Sequence, residues 1–215
     1  MRRDIDYRCC VVTSGSGRHT VEAAAAAAGA GAGIVQVRAK ALPDRNLLDL
    51  VCAASDAIAH ANPSTRVLVD DRADVAYAAR LAGAAVHGVH LGQDDLPVAA
   101  ARALLGPDAV IGLTTGTLDL VRAAAAVAEH VDYLGAGPFR LTPTKDSGRP
   151  PLGCAGYLPL VAATPLPVLA IGDVTPSDVP ALAATGVAGV ALVRAVMTAR
   201  DPAAVVRAVL AGFPR

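Results

Sequence analysis

The chain has 215 residues, 53% of them hydrophobic and 18% charged, enough apolar material for one large domain or two small ones and too much for a disordered chain. Lysine plus arginine total 19 and aspartate plus glutamate total 19, so no net basic field exists to hold nucleic acid or an anionic membrane. Aromatic residues are only 3% and tryptophan is absent, which leaves little for stacking on bases.

Strand-like apolar runs rich in Val and Ile fall at 9–13, 34–38, 66–70, 88–91, 110–113, 133–135, 168–171 and 189–193. They lack strict alternation, which indicates burial on both faces, as in a parallel sheet. Alanine-rich helical patterns lie between them at 21–28, 47–61, 74–81, 98–104, 118–129, 177–184 and 203–210. A Pro/Gly-rich piece between the sixth and seventh strands carries a short helical stretch at 157–163. Eight strand–helix units of roughly 27 residues each suit an α/β fold, a closed (β/α)8 TIM barrel forming one domain over 1–215. A doubly wound open sheet is the alternative, and eight units favour closure. Cys9, Cys10, Cys52 and Cys154 form no CxxC pair, no signal-like apolar segment follows the N-terminal arginines, and no apolar run reaches about 20 residues. A cytoplasmic protein with reduced thiols is the expectation. Cys9 and Cys10 read as packing residues.

Barrels of this kind place their chemistry after the C-terminal ends of the strands. After the second run, Gln36, Arg38 and Lys40 alternate onto one side, and two cations with an amide there want an anion such as phosphate. After the third and fourth runs come Asp70-Asp71-Arg72 and His90-Leu91-Gly92-Gln93-Asp94-Asp95. Carboxylates at adjacent strand ends suit Mg²⁺ that also holds substrate phosphates, and a ring of salt bridges with Arg38, Lys40 and Arg72 is the other reading. His90 lies inside its apolar run and reads as a packed core histidine. The sixth run opens into a glycine-rich stretch and then Thr142-Pro143-Thr144-Lys145, whose hydroxyls and ammonium have the composition of an oxyanion loop. The last two runs end in Ile171-Gly172-Asp173 and Val193-Arg194, where barrels often hold phosphate.

Gln36-x-Arg38-x-Lys40, Asp70-Asp71-Arg72, His90 to Asp95, Gly137-Pro138 with Thr142-Pro143-Thr144-Lys145, and Val193-Arg194-Ala195 occur in one order. Together they resemble the thiamine-phosphate synthase family over nearly the whole chain. The resemblance implies a Mg²⁺-dependent transferase of thiamine biosynthesis. It would join 4-amino-2-methyl-5-(diphosphooxymethyl)pyrimidine to a thiazole phosphate, with release of diphosphate. It also implies small phosphorylated substrates, with no nucleic-acid or membrane partner, and leaves homo-oligomerisation open. Carried onto this chain, Gln36, Arg38, Lys40, Asp70, Thr114 and Lys145 would hold the pyrimidine diphosphate, with Arg38, Lys40 and Lys145 acting in catalysis. Asp71 and Asp95 would bind the metal. Thr142, Thr144, Asp173, Val193 and Arg194 would hold the thiazole phosphate.

Four positions depart from the family pattern: Asp70 for Asn, Thr114 for Ser, Gly116 for a frequent His, and Asp173 for the second Gly of a turn. A carboxylate at 173 would repel the thiazole phosphate or turn outward to cap the next helix. Two other functions compete. A thiazole tautomerase would want a histidine near Gly116, and a non-catalytic phosphate-binding regulator would bind ligand without turnover.

Overall fold

The structure is a computed structural model and describes residues 5–141 and 148–213. The first half runs β1 (Cys9–Val12), α1 (Arg18–Gly29), β2 (Ile34–Val37), α2 (Asp44–Ala61), β3 (Arg66–Asp70), α3 (Ala73–Leu81), β4 (Gly88–Leu91) and α4 (Val98–Leu105). The second half runs β5 (Val110–Thr115), α5 (Leu118–Ala125), β6 (Tyr133–Ala136), α6 (Tyr157–Ala162) and β7 (Val168–Ile171). A single 3₁₀ turn (Pro176–Asp178) follows, then α7 (Val179–Ala183), β8 (Gly189–Leu192), α8 (Arg194–Met197) and α9 (Pro202–Ala211). Each strand pairs in parallel with the next and β8 closes on β1, so the sheet is a barrel without edges.

Alternation along the strands divides the core in two. Val11, Val35, Val67, Val69, Val89 and Ile111 point outward and pack with the helices. Cys10, Val12, Ile34, Leu68, Val110, Tyr133, Leu169 and Ala191 fill the barrel interior. Alanine explains how the helices pack closely around so small a barrel: Ala23, Ala24, Ala27 and Ala28 of α1 are buried and let that helix approach. Both buried cysteines act as small hydrophobes, and burial pushes the Cys9 thiol up to about 12.

Where the strands begin, two arginines tie the loops. Arg80 donates to the carbonyls of Val86, His87 and Leu105, and Arg102 to those of Ala109 and His130 and to the Asp132 carboxylate at 2.8 Å. Satisfying several carbonyls with one guanidinium makes this the stability face of the barrel, opposite the site.

All eight strands start where expected, and the other boundaries coincide with the observed ones or differ from them by at most three residues, with one exception. Two helices depart from expectation. The helix expected over 118–129 ends at Ala125 and gives way to turns, an end that the alanine run carries no sequence signal for. The helix expected over 177–184 is split into a 3₁₀ turn and α7, because Pro180 sits in the first turn of α7. Among the described residues, no helix is long and apolar enough to cross a membrane.

Candidate active site

At the C-terminal ends of the strands lies a cavity of about 520 Å³, a size typical of small-molecule sites. Its lining includes Gln36, Arg38, Lys40, Asp70, Asp71, Asp95, Thr114, Asp173, Val193 and Arg194, which come from β2, β3, β4, β5, β7 and β8 or the loops after them. Every expected site residue within the described segments therefore reaches one mouth. Thr142, Thr144 and Lys145 lie outside the described residues.

The β2–β4 side is a network of opposite charges. Gln36 lies inside the barrel and donates from Nε2 to Oδ1 of Asp70, whose Oδ2 is 3.2 Å from Arg38 Nε. Lys40 Nζ is 2.6 Å from Asp71 Oδ2. Burial, with the Asp71 charge beside it, pushes the Asp70 carboxyl up to about 6, against the opposing pull of Arg38, Lys40 and Gln36. Burial also works to raise Asp71, but the bonds to Lys40 and Asp95 and nearby positive charge hold it below its usual range. Asp95 is pushed up, first by burial and then by Asp71, although it accepts from the Gly92 amide at 2.6 Å. Asp71 has φ +61°, a left-handed conformation that a non-glycine residue adopts at a cost. That turn carries the carboxylate off the end of β3 toward Asp95.

On the opposite side, Asp173 also has a positive φ, +54°, at the end of β7. Its carboxylate does not cap the following helix. Thr175 makes the capping box with Asp178, and the Asp173 Oδ1 lies 2.5 Å from Arg194 Nη2 instead. Arg140 donates to the Asp173 carbonyl at 3.0 Å and forms a two-pronged ion pair with Asp178.

Arg72 leaves the mouth altogether. It pairs with Asp44 and Asp74, so the salt-bridge ring contains Arg38 and Lys40 but not this arginine. His90 is buried as expected, yet it also lines the cavity and bonds to two side chains. Arg149 is a lining residue that sequence reasoning missed. It donates to the Thr115 carbonyl at 3.0 Å, and it lies in a Pro/Gly-rich stretch whose lack of period gave no sign of its direction.

The model of the thiamine monophosphate synthase family matches residues 9–196. The chain belongs to that family. It is 55% identical to a thiamine-phosphate synthase of Corynebacterium efficiens, over 99% of this chain and 98% of that one. It is 54% identical to the thiamine-phosphate synthase of Corynebacterium jeikeium, over 99% and 97% of the two chains. Among solved structures, a thiamine phosphate pyrophosphorylase from Pyrococcus furiosus superposes with a TM-score of 0.82 at 27% identity, covering 96% of this chain and 95% of that one. The site thus lies at the strand ends of a thiamine monophosphate synthase-family barrel, and its cations and carboxylates are held there by this chain's own strands.

Proposed function

We propose that the chain joins 4-amino-2-methyl-5-(diphosphooxymethyl)pyrimidine to a thiazole phosphate, giving thiamine phosphate and diphosphate. The observation that carries this reading is the meeting of Arg38 and Lys40 from the loop after β2 with Asp71 and Asp95 from the loops after β3 and β4 in one cavity. Fixed cations beside hard oxygen ligands suit a leaving diphosphate better than a neutral or purely cationic ligand.

Asp71 and Asp95 fit Mg²⁺ chemically: they are adjacent carboxylates, and Asp95 is raised first by burial and then by Asp71, both of which a cation would offset. Among the described residues no group of three or more acidic, histidine or cysteine side chains forms a metal cage, so substrate phosphate oxygens would complete the shell, the usual Mg²⁺ arrangement. Bound there, Mg²⁺ would spread the charge that collects on the departing diphosphate.

The bond between the pyrimidine methylene carbon and the diphosphate oxygen breaks with its electron pair on oxygen. The thiazole nitrogen lone pair then forms the new carbon–nitrogen bond. Neither step asks for a protein base. Arg38 and Lys40 neutralise the leaving group, Gln36 holds the substrate beside Asp70, and Lys145 adds a further cation. The Asp173–Arg194 side, with Val193, orients the thiazole by its phosphate, a role that the family resemblance also gives to Thr142 and Thr144.

The tautomerase alternative is disfavoured by space as well as by residue type. A Cβ on Gly116 would lie 2.1 Å from the Gly137 carbonyl oxygen, so no histidine base fits there without backbone movement. The test of the synthase reading is the pair Arg38→Met and Lys40→Met. Each should lower kcat for thiamine phosphate formation at least about 100-fold, as expected for groups that act on developing charge, while leaving thermal stability near the parent's. Full activity in both variants would sink the reading.

A further inference from the structure

Beneath the diphosphate end of the cavity runs a polar chain that the mechanism above leaves unused. His90 points from β4 into the barrel and is only 8% exposed. Its Nδ1 lies 2.9 Å from the Tyr133 hydroxyl of β6, and its Nε2 lies 2.9 Å from Thr114 Oγ1 of β5. Room for the ring is built into the strands. A Cβ on Gly112 would come within 2.4 Å of His90 Nδ1 and 2.3 Å of Tyr133 Cζ, and one on Gly135 would approach His90 Cε1 at 3.0 Å. Gly112 is in register with both His90 and Tyr133, and Gly135 with Thr114, so the two glycines open one slot for three side chains.

Proton counting then fixes the direction of the chain. A buried phenol must donate its proton somewhere, and His90 Nδ1 is the one hydrogen-bond partner of that hydroxyl among the described residues. Burial also pushes the Tyr133 hydroxyl well above its usual range, which keeps it a donor. A bare Nδ1 places the imidazole proton on Nε2, which donates to Thr114 Oγ1. With its oxygen accepting, the Thr114 hydroxyl has its own proton free to aim into the cavity it lines.

The geometry points to a Tyr133–His90–Thr114 relay in which His90 is a positioning residue that sets Thr114 as a donor to the diphosphate of the pyrimidine substrate. This rests on the placing of Thr114 at that group made above.

The test combines Tyr133→Phe, Thr114→Val and their double variant with ¹⁵N NMR of the histidine rings in the parent. KM and kcat are measured separately for the two substrates. Thr114→Val should lower kcat/KM for the pyrimidine diphosphate about tenfold or more, the effect of losing a hydrogen bond to a charged group. Tyr133→Phe should lower it about threefold to fivefold, because an unfixed tautomer orients Thr114 only part of the time. The double variant should be no worse than Thr114→Val, and KM for the thiazole phosphate should not move. The NMR spectrum of the parent should show His90 protonated at Nε2 and bare at Nδ1. Losses that multiply in the double variant, or a proton on Nδ1 in the parent, overturn the relay. Unchanged kinetics in Thr114→Val with the proton still on Nε2 would overturn the placing of Thr114 at the diphosphate, and with it the relay's catalytic role.

Discussion

The Asp173 carboxylate, at the end of β7, lies 2.5 Å from Arg194 Nη2, at the start of the helix after β8. The two residues are 48% and 31% exposed at Arg194 and Asp173, and both line the cavity, so the pair stands where an anionic substrate would meet it. An acidic residue at the phosphate-binding end of a barrel is thereby neutralised by its neighbour. An exposed pair of this kind contributes roughly 0–1 kcal/mol to folding, so a phosphate can compete for the arginine.

Asp173→Gly should therefore lower KM for the thiazole phosphate about threefold to tenfold by releasing the guanidinium. Arg194→Ala should raise it, and by more in the parent than in the Asp173→Gly background, where no unpaired carboxylate remains. Steady-state kinetics on the four proteins checks this. Equal effects in both backgrounds would show that the pair does not act as a unit.

Asp71→Asn and Asp95→Asn should each shift half-maximal Mg²⁺ activation to at least about tenfold higher concentration, since each removes one of two hard anionic ligands. Magnesium titrations of initial rate measure this directly. An unchanged titration curve for both variants would remove the metal from these positions.

Asp178 carries a pH prediction. Burial works to raise its carboxyl, but Arg140 and Thr175 hold it below the usual range. The unfolded chain then binds the proton more readily, so the contribution is present above the unfolded pKa of about 4 and lost as pH falls through the lower folded value. Asp178→Asn should be less stable than the parent at pH 7, by roughly 1 kcal/mol for a partly exposed pair, and the gap should close in acid. Thermal melts of both proteins from pH 3 to 7 would show a constant gap if the carboxylate has no such role.

Arg102→Met should lower Tm without altering either KM. The side chain is 14% exposed, and its loss removes the ion pair from Asp132 and the donors from several carbonyls, at about 2–4 kcal/mol or roughly 4–16 °C for a chain of this size. A melt at the parent's temperature would contradict the stability role of that face.

The barrel was legible in the sequence because parallel strands buried on both faces leave short Val- and Ile-rich runs that little else imitates. Residues following a strand end were legible for a related reason: once β2 is placed, the period of two sends Gln36 inward, and Arg38 and Lys40 follow it in the loop at the mouth. Less visible were features that depend on neighbours from other strands. α8 has four residues, too few for any helical period. Arg149 reaches the cavity from an irregular segment. Whether Asp173 caps a helix or pairs with Arg194 is decided by the approach of β7 and β8, which no local pattern records. His90 looks like a core residue along its own strand, and its contacts with Tyr133 and Thr114 exist only because Gly112 and Gly135 make room from β5 and β6. Its packing was legible and its polar connections were not.

The most direct test of the synthase reading is thiamine phosphate formation by the purified chain given both phosphorylated substrates, with Mg²⁺ and with the metal chelated. The product is oxidised to fluorescent thiochrome and its yield compared with diphosphate released. The account predicts one thiamine phosphate per diphosphate with Mg²⁺ and little of either without it. Binding of both substrates with no product in the presence of metal would contradict it and leave a barrel that binds these phosphates without joining them.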